Sequence, residues 1–135
     1  MDDNNNKPGW ATNLFNQLQR LEQKIDNMSL VLVITTNRQN RSFNSTSPRN
    51  VPPSLLLKDT EGCGNFPGLR HAPTLNPIAE IGSTPNIEIN SFNDNLTNNQ
   101  LSYLSRFYNN NFGIDATTTI EHKRILFYNW IEHPN

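Results

Sequence analysis

The feature that most constrains this chain is a heptad series of apolar residues close to its N-terminus. Successive members are separated by 4, 3, 4, 3 and 4 residues, which places them in one row along an α-helix. The first, third and fifth members take heptad position d, and the others take position a. The members are Leu14, Leu18, Leu21, Ile25, Met28 and Leu32. The series predicts a long, amphipathic, coiled-coil-like helix over residues 10–36.

A helix with such a row has to cover it. One solution is pairing through residues 14–32 with a second copy of the chain or with a helix of a partner protein. The other solution is packing against the rest of the same chain, and the sequence leaves both open. Residues 30–34 are apolar on all sides and fit either a helix or a strand. We expect a continued helix, because Leu32 keeps the heptad phase.

Residues 37–95 contain seven of the nine prolines and sustain neither the helical nor the strand period. Short apolar groups interrupt this segment, so we expect an extended Pro- and Asn-rich strap laid over helices. Its first part carries Arg38, Arg41 and Arg49 without an acidic residue, which suits a solvated basic arm or a contact to an anionic partner. The 23 asparagines are spread along the whole chain, and we interpret them as background composition.

Residues 96–132 begin with the start and stop signals of a short helix. Thr97 and Gln100 form a capping box, and Leu96 and Leu101 provide the matching hydrophobic staple. Gly113 lies where a left-handed residue is expected to stop the helix. The run of three asparagines before it is therefore interpreted as the last polar turn of the helix.

A second helix is predicted to follow, with Thr118 and Glu121 as its capping box. The two helices form a hairpin whose apolar faces meet. Its predicted core consists of Leu96, Leu101, Leu104, Tyr108, Ile120, Phe127, Trp130 and Ile131. The fold predicted from the sequence is thus mainly α, with a heptad helix (10–36), an extended strap (37–95) and a helical hairpin module (96–132).

The sequence indicates no catalytic, cofactor or metal site. His71, His122 and His133 stand apart from any carboxylate or cysteine at metal-ligand spacing. Cys63 is the single cysteine and has no catalytic motif around it. Only 34% of the residues are apolar, below the roughly 45–50% of ordinary globular domains, so one large core is not expected. We therefore expect a non-catalytic protein-interaction or self-associating adaptor protein.

The hairpin resembles the helix–extended–helix modules of the SAP and LEM type. The residues that carry this resemblance are Leu101, Leu104, Gly113, Lys123, Arg124 and Leu126. The resemblance implies nucleic-acid binding as the alternative function. Charge does not favour it, because residues 96–135 contain three Lys and Arg against three Asp and Glu and phosphate binding depends on excess positive charge.

A wider pattern is similar to the C-terminal domain family named after a fungal meiotically up-regulated gene product. The matching residues are Pro52, Pro53, Leu55, Phe66, Pro67, Leu96, Leu101, Leu104, Tyr108, Lys123, Arg124 and Leu126. That family has no established activity or catalytic residues, so the resemblance implies architecture alone.

The first ten residues, MDDNNNKPGW, lack the basic and apolar regions of a signal peptide. The longest apolar run, residues 30–34, is far shorter than the ~20 residues needed to cross a bilayer. We expect an intracellular protein, cytoplasmic or nuclear, without a membrane partner.

Overall fold

The computed structural model describes residues 8–69 and 77–133. Within these ranges the chain forms three helices and no strand: α1 (Gly9–Thr46), α2 (Asn98–Tyr108) and α3 (Ile120–Glu132). The prediction of a mainly α protein with a long N-terminal helix and two C-terminal helices is confirmed. Residues 47–69 and 77–133 form what we call the C-terminal module, which contains almost all of the buried apolar side chains.

Helix α1 extends beyond the predicted end at residue 36. No proline or glycine interrupts the chain after Gly9 until Pro48, and the residue before a proline is driven out of the helical conformation. Ser47 accordingly has extended backbone angles, and its hydroxyl donates to the Phe43 carbonyl at 2.7 Å. Residues 30–34 are helical, as the heptad phase predicts.

Helix α2 begins with the predicted capping box but does not end where predicted. Thr97 Oγ1 accepts from the Gln100 amide at 3.1 Å, and Gln100 Oε1 accepts from the Thr97 amide at 2.8 Å. The helix stops at Tyr108, and Asn109 takes the left-handed φ of 52°. Asparagine adopts this conformation more readily than other residues with a side chain. Gly113, with a φ of 85°, lies in the turn that follows.

Helix α3 begins one residue later than the capping box predicts. Thr119 Oγ1 accepts from the His122 amide at 3.3 Å. Thr118 belongs to the preceding turn, where its hydroxyl accepts from the Asp115 amide at 3.0 Å and donates to the Asp115 carboxylate at 3.1 Å. Hydrogen bonds from Thr117 and Thr118 hold the pKa of Asp115 below its ordinary value. Three consecutive threonines offer alternative caps, and the Asp115 turn decides between them.

An aromatic cluster joins α2, α3 and the turn between them. The Trp130 ring centroid lies 4.8 Å from that of Tyr108 and 4.8 Å from that of Phe112, which lies 5.1 Å from Phe127. Seven of the eight residues predicted as the hairpin core are buried, and Ile120 is half-buried. Phe112 lies outside the predicted set because it is in a turn, with a φ of 56°, and belongs to neither helical stripe.

The connecting segment between α1 and α2 has no helix or strand in its described part, yet it contributes to the same core. Its fully or almost fully buried apolar residues include Leu56, Leu69, Ile89, Phe92 and Leu96. Three backbone hydrogen bonds hold its two halves together: from Lys58 to the Ser83 carbonyl at 2.9 Å, from Gly82 to the Lys58 carbonyl at 2.8 Å, and from Phe92 to the Arg49 carbonyl at 3.1 Å. The segment and the two short helices therefore share one core.

Candidate helix-interaction surface

The heptad residues of α1 have no cover among the described residues. Every side chain from residue 12 to residue 32 is exposed, a stretch of about 30 Å at 1.5 Å per residue. The exposed fractions of the heptad side chains are 48% for Leu14, 51% for Leu18, 53% for Leu21, 53% for Ile25, 66% for Met28 and 67% for Leu32. We call these six the apolar row. Packing of this row within the described part of its own chain is not observed.

Helix α1 contacts the C-terminal module through a different face. The side chains of the docked part that are buried or half-buried are those of Val33, Thr36, Asn37, Asn40, Arg41 and Asn44. At 3.6 residues per turn, the centre of this set lies roughly 120° around the helix from the centre of the apolar row. The apolar row therefore points away from the module, and the module leaves it accessible.

The apolar row and the face that contacts the module occupy successive parts of the helix. After Leu32 the heptad positions are occupied by Thr35, Gln39 and Ser42, which are polar and exposed. Val33, 7% exposed, is the first residue of α1 that is buried against the module. Helix α1 thus divides into a projecting N-terminal part with an apolar row and a docked C-terminal part.

The docked part of α1 is held by asparagine side chains. The Asn37 amide donates to the Leu57 carbonyl at 2.8 Å and accepts from the Leu57 N–H at 2.7 Å. Asn44 does the same with Ser54, at 2.8 and 2.7 Å. Asn44 follows Asn37 by seven positions, about 10.5 Å along the helix, and Leu57 follows Ser54 by three positions, about 10 Å along extended chain. The two spacings match, so the side-chain amides pair with the segment as a neighbouring strand would.

Asn40 adds a third contact, donating to the Leu55 carbonyl at 3.2 Å, and Asn44 also donates to the Ile131 carbonyl at 2.9 Å. We call Asn37, Asn40 and Asn44 the Asn clamp. Interpreting all the asparagines as background composition is wrong for these three. The signal that the sequence contained was their spacing, which puts them on one helical face.

Two arginines fasten the end of α1 and the residues after it to the module. Arg41 Nε donates to the Trp130 carbonyl at 3.2 Å, and burial lowers the pKa of Arg41. Arg49 lies over the Phe92 ring, 4.4 Å from its centroid, and pairs with the carboxylate of Glu132. These two residues are therefore not the free basic arm suggested by the sequence.

Lys58 is fully buried beneath the end of α2. Its ammonium donates to the Gly62 carbonyl at 2.7 Å and to the Phe107 carbonyl. Phe107 lies in the last turn of α2, where carbonyls lack a helical partner and the helix dipole favours a cation. Burial lowers the pKa of Lys58. The residue therefore has a structural role that the sequence did not indicate.

One cleft of about 600 Å³ lies between α1 and residues 78–81, with Asp26, Glu61 and Glu80 at its edge. No three or more His, Cys, Asp or Glu side chains in the described ranges are placed to hold a metal ion. Cys63 is a half-buried free thiol, and His71 lies outside the described residues.

The cations of the hairpin are engaged by their own chain. Arg124 Nε donates to the Leu96 carbonyl at 2.8 Å, and Lys123 Nζ donates to the Gly68 carbonyl at 2.8 Å. Arg106 is only 8% exposed. These contacts turn the three positive side chains toward the module, so that fewer of their N–H groups are available to a phosphate backbone.

No protein-family model matches the chain, and comparisons with curated proteins and with solved structures give no match. The family resemblances noted in the sequence stay predictions. Among the described residues, no helix combines the length and the apolar character that crossing a membrane requires.

Proposed function

We propose that this protein is a non-catalytic, self-associating interaction protein. Residues 14–32 of α1 pair as a coiled coil with the same residues of a second copy. The connecting segment, which is part of the C-terminal module, acts as a strap that holds α1 through the Asn clamp. One observation carries the proposal: six apolar side chains at heptad spacing are about half-exposed or more, along one face of a helix that is fixed to its module at the other end.

The charge of the projecting part favours a protein partner over a lipid surface. Its polar side carries Arg20 and Lys24 against Glu22 and Asp26, two positive and two negative charges. Helices that lie on membranes carry an excess of Lys and Arg facing the lipid headgroups. A neutral polar side with an apolar row is typical of a helix that pairs with another helix.

The chemistry of the row favours a second copy as the partner. The segment has no net charge, so two copies do not repel each other, and the a and d residues are all large and aliphatic or Met, as a self-complementary seam requires. The projecting part also needs support, since an isolated helix of this length is marginal in water. Among the residues that the structure describes, neither a side-chain cap nor an acidic first turn supports its N-terminus.

The mass of the purified chain in solution tests this proposal. Light scattering coupled to gel filtration is expected to give at least twice the 15.4 kDa of one chain. Leu21→Asp introduces a charge into the middle of the row and is expected to yield a monomer. Gln19→Asp makes a comparable polar change on an exposed side of α1 outside the row and is expected to keep the assembly. A monomeric unsubstituted chain at tens of micromolar would contradict self-association.

Nucleic-acid binding through the hairpin is the alternative, supported by its resemblance to SAP-type modules. The intramolecular contacts of Lys123 and Arg124 argue against it, because affinity for nucleic acid rests largely on free cations. A fluorescence-anisotropy titration with double-stranded DNA and single-stranded RNA at low salt separates the two functions. Affinity that falls steeply with added salt would favour the alternative, and absence of binding at low salt would remove it.

A further inference from the structure

Two aromatic side chains near the N-terminal end of α1 are exposed although they lie outside the apolar row. Trp10 is 69% exposed and Phe15 is 59% exposed. With Leu14 at position d and Leu18 at position a, Trp10 falls on position g and Phe15 on position e. Positions e and g flank the seam of a coiled coil. Both rings are therefore placed to be covered when a second helix lies alongside.

A parallel, in-register pair gives both rings a partner. In this arrangement position g of one helix lies beside the next position e of the other helix. Trp10 of each copy then lies beside Phe15 of the other copy, twice per pair. Along the rest of the seam, Gln17 lies beside Glu22 and Lys24 lies beside a serine. No like charges meet in the parallel arrangement.

An antiparallel pair is less favourable. In one antiparallel register, each of the six row residues of one copy lies beside a row residue of the other copy. This register sets Leu14 of one copy against Leu32 of the other. Positions e then face e and positions g face g, so Glu22 faces Glu22 of the other copy and Lys24 faces Lys24. Both contacts are repulsive. Phe15 lies beside a serine in this register and stays largely exposed.

The central layers of the seam fit two strands, with Leu18 and Leu32 at the outer a positions and Met28 at the last d position. A β-branched residue at position a with leucine at position d is the combination typical of parallel dimers. Ile25 occupies the central a position, and Leu14 and Leu21 occupy d positions. Every a and d position from Leu14 to Leu32 is occupied by an apolar residue.

We propose that α1 pairs in parallel and in register with α1 of a second copy, with Trp10 of each chain packed against Phe15 of the other. This inference rests on the proposed self-association and adds its orientation and stoichiometry. Because the docked face of α1 lies roughly 120° from the seam, the two C-terminal modules sit at the same end of the pair, on its outer sides. The dimer thus presents two copies of the module together, which doubles its valency toward any partner of the module.

Disulfide cross-linking tests the orientation. In a chain with Cys63→Ser, a cysteine introduced by Met28→Cys faces its own equivalent only if the pair is parallel and in register. We expect Met28→Cys alone and Leu18→Cys alone each to form covalent dimers under mild oxidation. The expected rate is about tenfold or more above that of Arg20→Cys, whose position c points away from the seam.

The outcomes separate orientation from association. If neither single variant cross-links but their mixture does, the pair is antiparallel, and the inference fails while self-association stands. A mass of three or more chains for the unsubstituted protein contradicts the two-stranded arrangement. A monomeric unsubstituted protein with no cross-linking above the Arg20→Cys control overturns both proposals.

A double-mutant cycle tests the aromatic contact. Trp10→Ala and Phe15→Ala are each expected to weaken the dimer several-fold, by sedimentation at a series of concentrations. The double variant is expected to be little weaker than the more affected single variant, because both remove the same contact. If the double variant weakens the dimer by the full product of the two single effects, the two rings do not touch.

Discussion

Asn37 of α1 holds both backbone groups of Leu57, donating to its carbonyl at 2.8 Å and accepting from its N–H at 2.7 Å. One side chain thus satisfies the donor and the acceptor of a residue in an extended segment, as a neighbouring strand does in a sheet. Asn44 repeats the arrangement on Ser54. The docking of α1 depends more on these amides than on apolar burial, since Val33 is the only hydrophobic residue of α1 that is buried in the described structure.

Asn37→Ala is expected to lower the free energy of unfolding by about 2 kcal/mol, because it leaves the partly buried N–H and carbonyl of Leu57 without their partner. Urea denaturation followed by circular dichroism measures the change. Protein concentration has to be kept constant, since the stability of a self-associating chain depends on it. Asn16→Ala, on the exposed part of the same helix, is expected to stay within about 0.5 kcal/mol of the unsubstituted protein. Equal effects of the two substitutions would show that the clamp contributes little.

Lys58→Met is expected to destabilise the module by about 1–3 kcal/mol. The substitution keeps much of the volume but removes the donor to the Phe107 and Gly62 carbonyls, while the cost of burying a charge is also removed. Lys123→Met is the matched control, because its ammonium makes a comparable contact to a carbonyl nearer the surface. Its expected cost is below about 1 kcal/mol. A larger loss in Lys123→Met than in Lys58→Met would contradict the role assigned to the buried cation.

Gly68→Ala is expected to cost about 2–4 kcal/mol. Gly68 has a φ of +80°, and an added Cβ would clash with the backbone oxygen of Asp115, so left-handed strain and a backbone clash act together. Gly9→Ala meets nothing within 4 Å and is expected to be neutral or slightly stabilising, since alanine has the higher helix propensity. Thermal unfolding of the two variants provides the comparison. A stable Gly68→Ala protein would mean that this turn relaxes without cost.

The sequence predicted the elements whose signals are local. Thr97 and Gln100 lie three residues apart, and both partners of that capping box are contained in the same helical turn. The end of α2 was mispredicted because Asn109 and Gly113 both suit a left-handed stop, and local sequence does not rank them. Phe112 was missed for a related reason, since it is buried from a turn and follows no helical period.

The Asn clamp and the exposure of the apolar row depend on the whole chain. The spacing of Asn37, Asn40 and Asn44 is visible in the sequence, but it is also the spacing of an ordinary solvated helix face. Only the fold brings residues 54–57 alongside. Likewise, the spacing of the apolar row is the same for a core helix and for a projecting one. The distinction required knowing that the C-terminal module builds its core without these side chains.

Tyr128→Phe is expected to change how stability depends on alkaline pH. Tyr128 donates to the Asp94 carbonyl at 2.9 Å, and burial, with the nearby Asp94 carboxylate, raises the pKa of Tyr128 from 10.0 to about 12. A phenol whose pKa is raised by folding contributes stability that is complete below the unfolded pKa of about 10. That contribution is lost as the pH rises toward 12, because the unfolded chain ionises first.

The variant lacks this ionisation, although it loses one hydrogen bond, which costs about 1 kcal/mol at neutral pH. The stability advantage of the unsubstituted protein over Tyr128→Phe is therefore expected to shrink between pH 10 and pH 12. Urea denaturation at a series of pH values measures it. Burial also raises the pKa of Tyr108 and lowers that of Lys58, but both groups are present in the two proteins, so the difference isolates Tyr128. A difference that stays constant across this range would show that Tyr128 ionises equally easily in the folded and unfolded chains.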